Sequence, residues 1–389
     1  WYWNRYPGAS CDIESYIYFP LLEEINFMPK EKYTNAPETL EYCKLMAEKF
    51  KLYENSCMQT EVTSAEWDES ISKWIILTNR QDKIKARYLV NSNGPLNRPK
   101  LPAIKGVHDF KGHTFHTSRW DYGYTGGSSS GNLTGLKGKK VAVVGTGATA
   151  VQCVPHLGET AEHLYVFQRT PSSIDLRNNT KTDTEWALNL KPGWHEKRRN
   201  NFESLLAGVY QKEDLVNDGW TDLFRIFFGA FRKIRPSNYK MATWAVSSVF
   251  SSDLYRLGFE GYMRNKFMNF VGHDNLMKEM EMADFEKMEK IRARADAVIE
   301  DPKTAESLKP YYRQLCKRPC FHDEYLQTFN KPNVTLVDTK GRGVNQITKK
   351  GIMFEGKEYE VDCIIFATGF EVGTAYTRRS GYEIYGKER

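Results

Sequence analysis

The fold is decided by the stretch Val141-Ala142-Val143-Val144-Gly145-Thr146-Gly147-Ala148-Thr149-Ala150. Its four consecutive apolar residues predict a short strand, and a helical run from Ala148 to Leu157 follows the glycine turn. Gly158 is the expected C-cap, because glycine commonly stands just after a helix end. A second strand is predicted over residues 164–167. A strand, a glycine turn, a helix and a second strand form the first half of a nucleotide-binding βαβ unit.

The turn has the spacing Gly145-x-Gly147-x-x-Ala150, with alanine in the third small position. The first glycine permits a tight turn, and the second lets the backbone approach a pyrophosphate. The small third residue allows close packing of helix on strand, and the helix N-terminus favours an anion. The spacing therefore predicts a dinucleotide site. The alternative is a glycine-rich turn without a ligand.

The end of the second predicted strand indicates which nucleotide is bound. An acidic residue there would hold the ribose 2′-hydroxyl of NAD, but the chain has Gln168-Arg169-Thr170. A guanidinium and a hydroxyl suit a 2′-phosphate, which is negatively charged and rich in acceptors. This predicts NADP. The alternative is a surface arginine without a ligand.

Bulk properties exclude several classes of protein. A chain of 389 residues predicts two or three domains, and 55 basic against 49 acidic residues give a mild net charge of +6. That charge fits anionic cofactors and does not call for nucleic acid. No apolar run is long enough to predict a membrane span. The seven cysteines are odd in number and lack a Cys-x-x-Cys pair, so they predict no disulfide scaffold and no metal site in a reduced, cytoplasmic protein.

Elsewhere the pattern is simpler. Residues 37–53 predict an amphipathic helix, and residues 71–77, 85–92 and 359–366 predict strands. From about 180 to 312 the pattern is helical. Within it, Thr221–Arg235 mixes apolar and basic residues, which fits an ordinary packing face, a contact with a membrane surface, or the roof of a substrate cavity.

One segment before the glycine turn resembles a known family pattern. Residues 110–121 read Phe-Lys-Gly-His-Thr-Phe-His-Thr-Ser-Arg-Trp-Asp, which fits F-x-G-x-x-x-H-x-x-x-W-D. This resembles the fingerprint of class I Baeyer–Villiger monooxygenases. Related flavin-containing N- and S-oxygenases usually carry a different aromatic ring in place of this tryptophan. Residues 1–12, 317–319 and 366–370 also resemble family segments, in the family's order.

The resemblance implies an α/β fold of two Rossmann-like dinucleotide-binding domains, with the FAD domain interrupted by the NADP domain and a helical insert. The expected bounds are 1–135 and 357–389 for the FAD domain, 136–179 and 313–356 for the NADP domain, and 180–312 for the insert. It also implies that NADPH reduces FAD and that O2 then gives a C4a-peroxyflavin. That species inserts oxygen beside the carbonyl of a small-molecule ketone, giving an ester or lactone.

The resemblance also assigns roles to residues. Arg318 would stabilise the peroxyflavin anion and the developing oxyanion, and Asp12 would pair with it. Trp1, Trp3 and Tyr18 would line the flavin pocket. The expected NADP residues are Gly145, Thr146, Gly147, Ala148, Thr149, Ala150, Val151, Gln152, Arg169, Thr170 and Lys317. The fingerprint residues Phe110, Gly112, His116, Trp120 and Asp121 would couple the two nucleotide domains.

The chain also departs from the family pattern. An earlier Gly-x-Gly-x-x-Gly is absent, so the chain is expected to be truncated at both ends and to bind FAD poorly on its own. Ser10 stands where an arginine is common. Two other functions remain open: a flavin N- or S-oxygenase, and a non-catalytic NADP-binding remnant.

Overall fold

The structure is a computed structural model that describes residues 1–209, 211–234 and 273–386. The chain forms two compact units. The first contains Trp1–Leu40 and Leu101–Gly369, and the second contains Glu41–Lys100 and Phe370–Arg389. Each unit is described by itself below.

The secondary structure alternates between short strands and helices. The strands are β1 (Val62–Asp68), β2 (Lys73–Thr78), β3 (Lys83–Ala86), β4 (His113–His116), β5 (Lys140–Val144), β6 (His163–Gln168), β7 (Ile174–Asp175), β8 (Cys320–Phe321), β9 (Val334–Asp338), β10 (Gln346–Ile347), β11 (Gly351–Phe354), β12 (Lys357–Glu360) and β13 (Cys363–Phe366). The helices are α1 (Ser15–Tyr18), α2 (Leu22–Ile25), α3 (Ala36–Lys49), α4 (Tyr122–Thr125), α5 (Ala148–Thr160), α6 (Thr184–Leu188), α7 (Trp194–Leu206), α8 (Gly219–Ile234), α9 (His273–Val298), α10 (Pro302–Leu308), α11 (Tyr325–Thr328) and α12 (Tyr376–Ser380).

The first unit is built on a five-stranded sheet with the order β4-β13-β5-β6-β9. All of its neighbouring strands are parallel. Side chains of β5 alternate between two cores: Val141 and Val143 pack into one, whereas Ala142 and Val144 pack into the other. Because both faces of the sheet are covered, β5 is apolar at every position from 141 to 144. The predicted strand is confirmed, and so is the α/β fold class.

The helix after the glycine turn begins where predicted but ends later. α5 runs to Thr160 and its C-cap is Ala161, so the expected C-cap at Gly158 is wrong. A Cβ on Gly158 would lie 2.9 Å from Thr328 Cγ2 and 3.1 Å from Val334 Cγ2. Gly158 therefore allows α11 and the start of β9 to approach the helix, and it does not terminate the helix.

The expected strand over residues 359–366 is two strands. β12 pairs antiparallel with β11 in a small sheet, whereas β13 belongs to the large parallel sheet. Between them the Val361 amide donates to the Lys350 carbonyl oxygen, and the Asp362 carboxylate accepts from the Lys140 amide. These two hydrogen bonds satisfy the Val361 and Lys140 amides where the chain changes direction. The apolar pattern of the sequence does not reveal this change of direction.

The second unit contains the antiparallel sheet β1-β2-β3. The strand predicted over 71–77 is present as β2, but the strand predicted over 85–92 is wrong beyond Ala86. Ala86 pairs with Trp74, so Lys73 is the single β2 residue left beyond the last pair with β3. The helix predicted over 37–53 is α3, which ends earlier, at Lys49.

The helical character predicted for residues 180–312 is present as α6 to α10, with residues 210 and 235–272 outside the described ranges. The amphipathic stretch Thr221–Arg235 falls mostly in α8, and its last residue lies outside those ranges. Among the described helices, none combines the length and apolar character needed to cross a bilayer.

Candidate functional site

The glycine turn leaves the N-terminus of α5 open. Gly145 has φ +115, and a Cβ there would lie 2.5 Å from the Ala367 carbonyl oxygen. A Cβ on Gly147, in contrast, would have nothing within 4 Å. The first glycine is therefore required by the fold, whereas the second leaves space beside the helix N-terminus. That space, together with the helix dipole, fits the pyrophosphate of a dinucleotide.

Other predicted residues of this turn serve its packing. The Thr146 hydroxyl donates to the Thr170 carbonyl oxygen at 2.9 Å, which connects the turn to the end of β6. Ala150 and Val151 are buried against the sheet. Gln152 is also buried, and its side chain accepts from the Tyr6 hydroxyl at 2.9 Å and donates to the Ser10 carbonyl oxygen at 3.0 Å. The observed partners of Gln152 belong to the amino-terminal segment, and its role as a nucleotide ligand stays a prediction.

A cationic cluster lies at the carboxyl end of β6. Lys317 Nζ hydrogen-bonds the Thr170 hydroxyl, while Arg169 is exposed. Burial lowers the pKa of Lys317, and the nearby charge of Arg169 lowers it further. Within the described part of the chain, neither cation forms an ion pair with a carboxylate. Two uncompensated positive charges beside a hydroxyl suit an anionic group such as a 2′-phosphate.

Asp12 and Arg318, which are 306 positions apart in the chain, form an ion pair. Arg318 Nη2 donates to Asp12 Oδ1 at 2.8 Å. The Asp12 side chain is 9% exposed and that of Arg318 is 56% exposed, so the carboxylate anchors a guanidinium that stays accessible. Trp220 Nε1 holds the Asp12 carbonyl oxygen at 2.9 Å. The predicted contact is present in the structure, and its catalytic role stays a prediction.

Tyr6 connects this ion pair to the glycine turn. Its hydroxyl hydrogen-bonds both Gln152 and Thr149 in the first half of α5. Burial raises the pKa of Tyr6 to about 12, and the charges of Arg318 and Asp12 also act on it. The amino-terminal segment that carries Asp12 is therefore hydrogen-bonded to the helix that follows the glycine turn. Tyr6 has no assigned role in the sequence-based prediction, where it falls within the family-like segment 1–12.

The aromatic residues at the start of the chain lie at the surface of the same unit. Trp1 Nε1 donates to the Tyr18 hydroxyl at 3.3 Å, and the two rings meet edge to face. Trp3 is exposed, and the Arg119 guanidinium lies 4.4 Å from its ring centroid. These rings offer an apolar surface, which fits the prediction that they line a flavin pocket.

The fingerprint residues lie before, within and after the edge strand β4. A Cβ on Gly112 would lie 2.5 Å from the Asp362 carbonyl oxygen, and Phe110 packs against one core of the sheet. Trp120 is buried and donates to the Thr125 hydroxyl at 3.0 Å, and Asp121 caps α4. His116 is buried and hydrogen-bonds the Gly369 backbone; burial lowers its pKa to about 4. These contacts are structural, and a coupling role stays a prediction.

Comparison with known proteins identifies the family. Residues 6–216, more than half of the chain, match the FMO-like family, described as flavin-binding monooxygenase-like. The chain belongs to this family.

Its relatives make the resemblance more specific. The chain is 48% identical to a Baeyer-Villiger monooxygenase of Stachybotrys chlorohalonatus over all of its own length and 57% of that protein. Among solved structures, a polycyclic ketone monooxygenase from Thermothelomyces thermophila covers the whole chain with 38% identity and a TM-score of 0.80, across 60% of that structure. OTEMO in complex with FAD and NADP gives 27% identity and a TM-score of 0.69, across 67% of that structure. The chain thus spans about three fifths of the length of the first two proteins.

Proposed function

We propose that this protein is an FAD- and NADPH-dependent Baeyer–Villiger monooxygenase. It would use O2 to insert one oxygen atom beside the carbonyl of a ketone, giving an ester or a lactone. The observation that carries this proposal is the Asp12–Arg318 ion pair, because it holds an accessible fixed cation against the amino-terminal segment, which is hydrogen-bonded to the helix after the glycine turn. A flavin N- or S-oxygenase and a non-catalytic remnant are the competing functions.

The nucleotide half of the proposal depends on two anion sites in the first unit. The N-terminus of α5 would receive the pyrophosphate in the space beside Gly147. Arg169, Lys317 and the Thr170 hydroxyl would hold the 2′-phosphate, whose charge relieves the repulsion that lowers the pKa of Lys317. This arrangement favours NADPH over NADH, because NADH would leave both cations uncompensated.

The oxygenation half depends on Arg318. When bound, the flavin supplies the oxygen chemistry and NADPH supplies the hydride that reduces it. Arg318 would donate N–H groups to oxygen atoms that gain negative charge during the reaction. An arginine side chain is a fixed positive charge, so Arg318 would stabilise charge and would not transfer a proton. Asp12 would hold the guanidinium in one orientation. This lowers the entropic cost of ordering the side chain in each turnover.

The remaining assignments follow the same pattern. Trp1, Trp3 and Tyr18 would line the flavin pocket, and residues 1–135 and 357–389 would belong to the FAD domain, with the NADP domain between them. A bulky cyclic ketone is the proposed substrate, since a polycyclic ketone monooxygenase is among the structures that cover the whole chain. A cytoplasmic location is proposed because all seven cysteines are free thiols.

The test uses protein expressed from its complete coding sequence, incubated with NADPH, air and a panel of polycyclic ketones, tertiary amines and thioethers. We expect an ester or lactone that is one oxygen atom heavier than the ketone, detected by mass spectrometry with incorporation of one atom from ¹⁸O2. The Arg318→Ala variant should lose roughly 100-fold or more in kcat, because removal of one preorganised charge stabiliser costs about 3–4 kcal/mol.

The control is Arg199→Ala, which removes an exposed arginine whose ion-pair partner among the described residues is Glu203, on its own helix. It should turn over like the wild type. Amine or thioether oxygenation without lactone would favour the competing oxygenase. A native-length protein that carries no flavin would favour the non-catalytic remnant.

A further inference from the structure

A second arginine, Arg177, stands beside the Asp12–Arg318 pair. The short strands β7 and β8 pair in parallel, with Ile174 opposite Cys320. Arg318 precedes β8 by two residues, and Arg177 follows β7 by two residues. This small sheet therefore carries one arginine at each end.

The Arg177 side chain connects two segments that are distant in sequence. Its Nε donates to the Phe321 carbonyl oxygen at 3.1 Å, and its Nη1 donates to the Ser10 hydroxyl at 2.5 Å. Ser10 lies two residues before Asp12, and Phe321 lies three residues after Arg318. One guanidinium thus joins the two segments that carry the ion pair.

The charge of Arg177 is buried and only partly compensated. Its Nη2 is inaccessible and has no hydrogen-bond partner among the described residues. Burial lowers the pKa of Arg177, and the carboxylates of Asp12 and Asp323 act against that effect. A buried charge is tolerated only with nearby opposite charge. Asp12 therefore serves two cations: it contacts Arg318 directly and compensates Arg177 through space.

We propose that Arg177 is a positioning residue for the reaction, which holds the Ser10–Asp12 segment against β8 so that the Asp12 carboxylate meets Arg318 in one fixed orientation. This inference rests on the proposed function above. Its physical basis is geometric, because a side chain with two directed donors at 3.1 and 2.5 Å restrains both segments at once. Loss of that restraint would let the carboxylate move and the exposed guanidinium rotate.

The alternative is that Arg177 only stabilises the small sheet. The chain provides a matched control for that role. Arg294 on α9 donates to the Ile174 carbonyl oxygen and to the His322 carbonyl oxygen, each at 3.0 Å. Burial lowers its pKa as well. It braces the same two strands, and none of its hydrogen bonds reaches residues 10–12.

The experiment compares Arg177→Met, Arg177→Lys, Ser10→Ala and Arg294→Met in the full-length protein. We expect Arg177→Met to lower kcat for ketone oxygenation by roughly 10- to 100-fold with KM for NADPH within about twofold, because misplacing a catalytic group by about 1 Å has effects of that size. Arg177→Lys keeps the charge but not both directed donors, so its kcat should lie between those of the wild type and Arg177→Met. Ser10→Ala should lower kcat less than Arg177→Met does. Its effect on kcat should not add to that of Arg177→Lys.

A second measurement needs no turnover. Hydrogen–deuterium exchange of the peptide that contains residues 9–13 should be about tenfold faster in Arg177→Met and in Ser10→Ala than in the wild type. Arg294→Met should lower the unfolding temperature while leaving both kcat and this exchange rate near the wild-type values. If Arg177→Met does not fold, Arg177→Lys and Ser10→Ala carry the test.

The outcomes separate this inference from the proposed function. If wild-type protein oxygenates ketones and the Arg177 and Arg294 variants have equal kcat, the positioning role is overturned while the function stands. If exchange accelerates without a change in kcat, the role is likewise overturned. If no ketone is oxygenated, the proposed function fails. Equal hydrogen–deuterium exchange of residues 9–13 in Arg177→Met and Arg294→Met would overturn the restraint of this segment by Arg177, whether or not the function stands.

Discussion

Replacement of the two turn glycines by alanine should affect different properties of the protein. Gly145→Ala places a Cβ 2.5 Å from the Ala367 carbonyl oxygen at a φ of +115. Backbone strain of about 1–3 kcal/mol and overpacking of about 1–3 kcal/mol together give a loss of roughly 2–6 kcal/mol in the free energy of unfolding. This glycine is thus required by the fold before any ligand binds.

Gly147→Ala should leave stability nearly unchanged. Gly147 has φ −78, which alanine adopts freely, and its added Cβ meets nothing within 4 Å. The reduced entropy of the unfolded chain stabilises by about 0.4–1 kcal/mol, and the poorer N-cap costs a similar amount, so the two terms nearly cancel. The new methyl group would instead occupy the space proposed for the pyrophosphate. Overpacking of about 1–3 kcal/mol corresponds to a roughly 5- to 150-fold weaker Kd for NADP.

The assay combines urea unfolding, followed by fluorescence, with calorimetric titration of NADP into each variant. We expect low stability for Gly145→Ala, and normal stability with weak NADP binding for Gly147→Ala. Gly138→Ala is a control for a glycine outside the turn: it also has open space around its Cβ but a φ of +69, so it should lose only stability. Normal NADP affinity in Gly147→Ala would refute the placement of the pyrophosphate at this helix end.

Two further predictions concern charge. Arg169→Leu should weaken NADPH binding about tenfold, or 1.4 kcal/mol, and leave NADH binding unchanged, since only the 2′-phosphate contact is lost; fluorescence titration with both nucleotides measures this, and an equal loss for both would contradict the assignment. His116 has its pKa lowered to about 4 by burial, from an ordinary value of 6.5. His116 binds fewer protons in the folded protein than in the unfolded chain. Its contribution to the free energy of unfolding is therefore fully present above pH 6.5 and is lost as the pH falls toward 4, by up to about 1.4 kcal/mol per pH unit. The free energy of unfolding, measured in urea between pH 4 and 7, should depend less steeply on pH for His116→Gln than for the wild type. The same pH dependence in both proteins would disprove this origin.

The part of the fold that the sequence alone determined is local. The strand at 141–144, the turn at 145–147 and the start of α5 follow from apolar runs and glycine spacing, which act over a few residues. The contact between Asp12 and Arg318 was also expected, but only through resemblance to a family, because no spacing rule connects residues 306 positions apart. Roles assigned to the other site residues remain predictions.

The tertiary structure decided where local rules compete with packing. Gly158 continues a helix because side chains of Thr328 and Val334 need its empty space, although glycine is usually a helix end. β3 ends at Ala86, where its partner β2 has a single residue, Lys73, left beyond the last pair. Arg177 is an ordinary basic residue in the sequence, and it becomes a buried link to Ser10 only when two distant segments meet. Such contacts depend on what the rest of the chain places nearby, which short-range patterns do not encode.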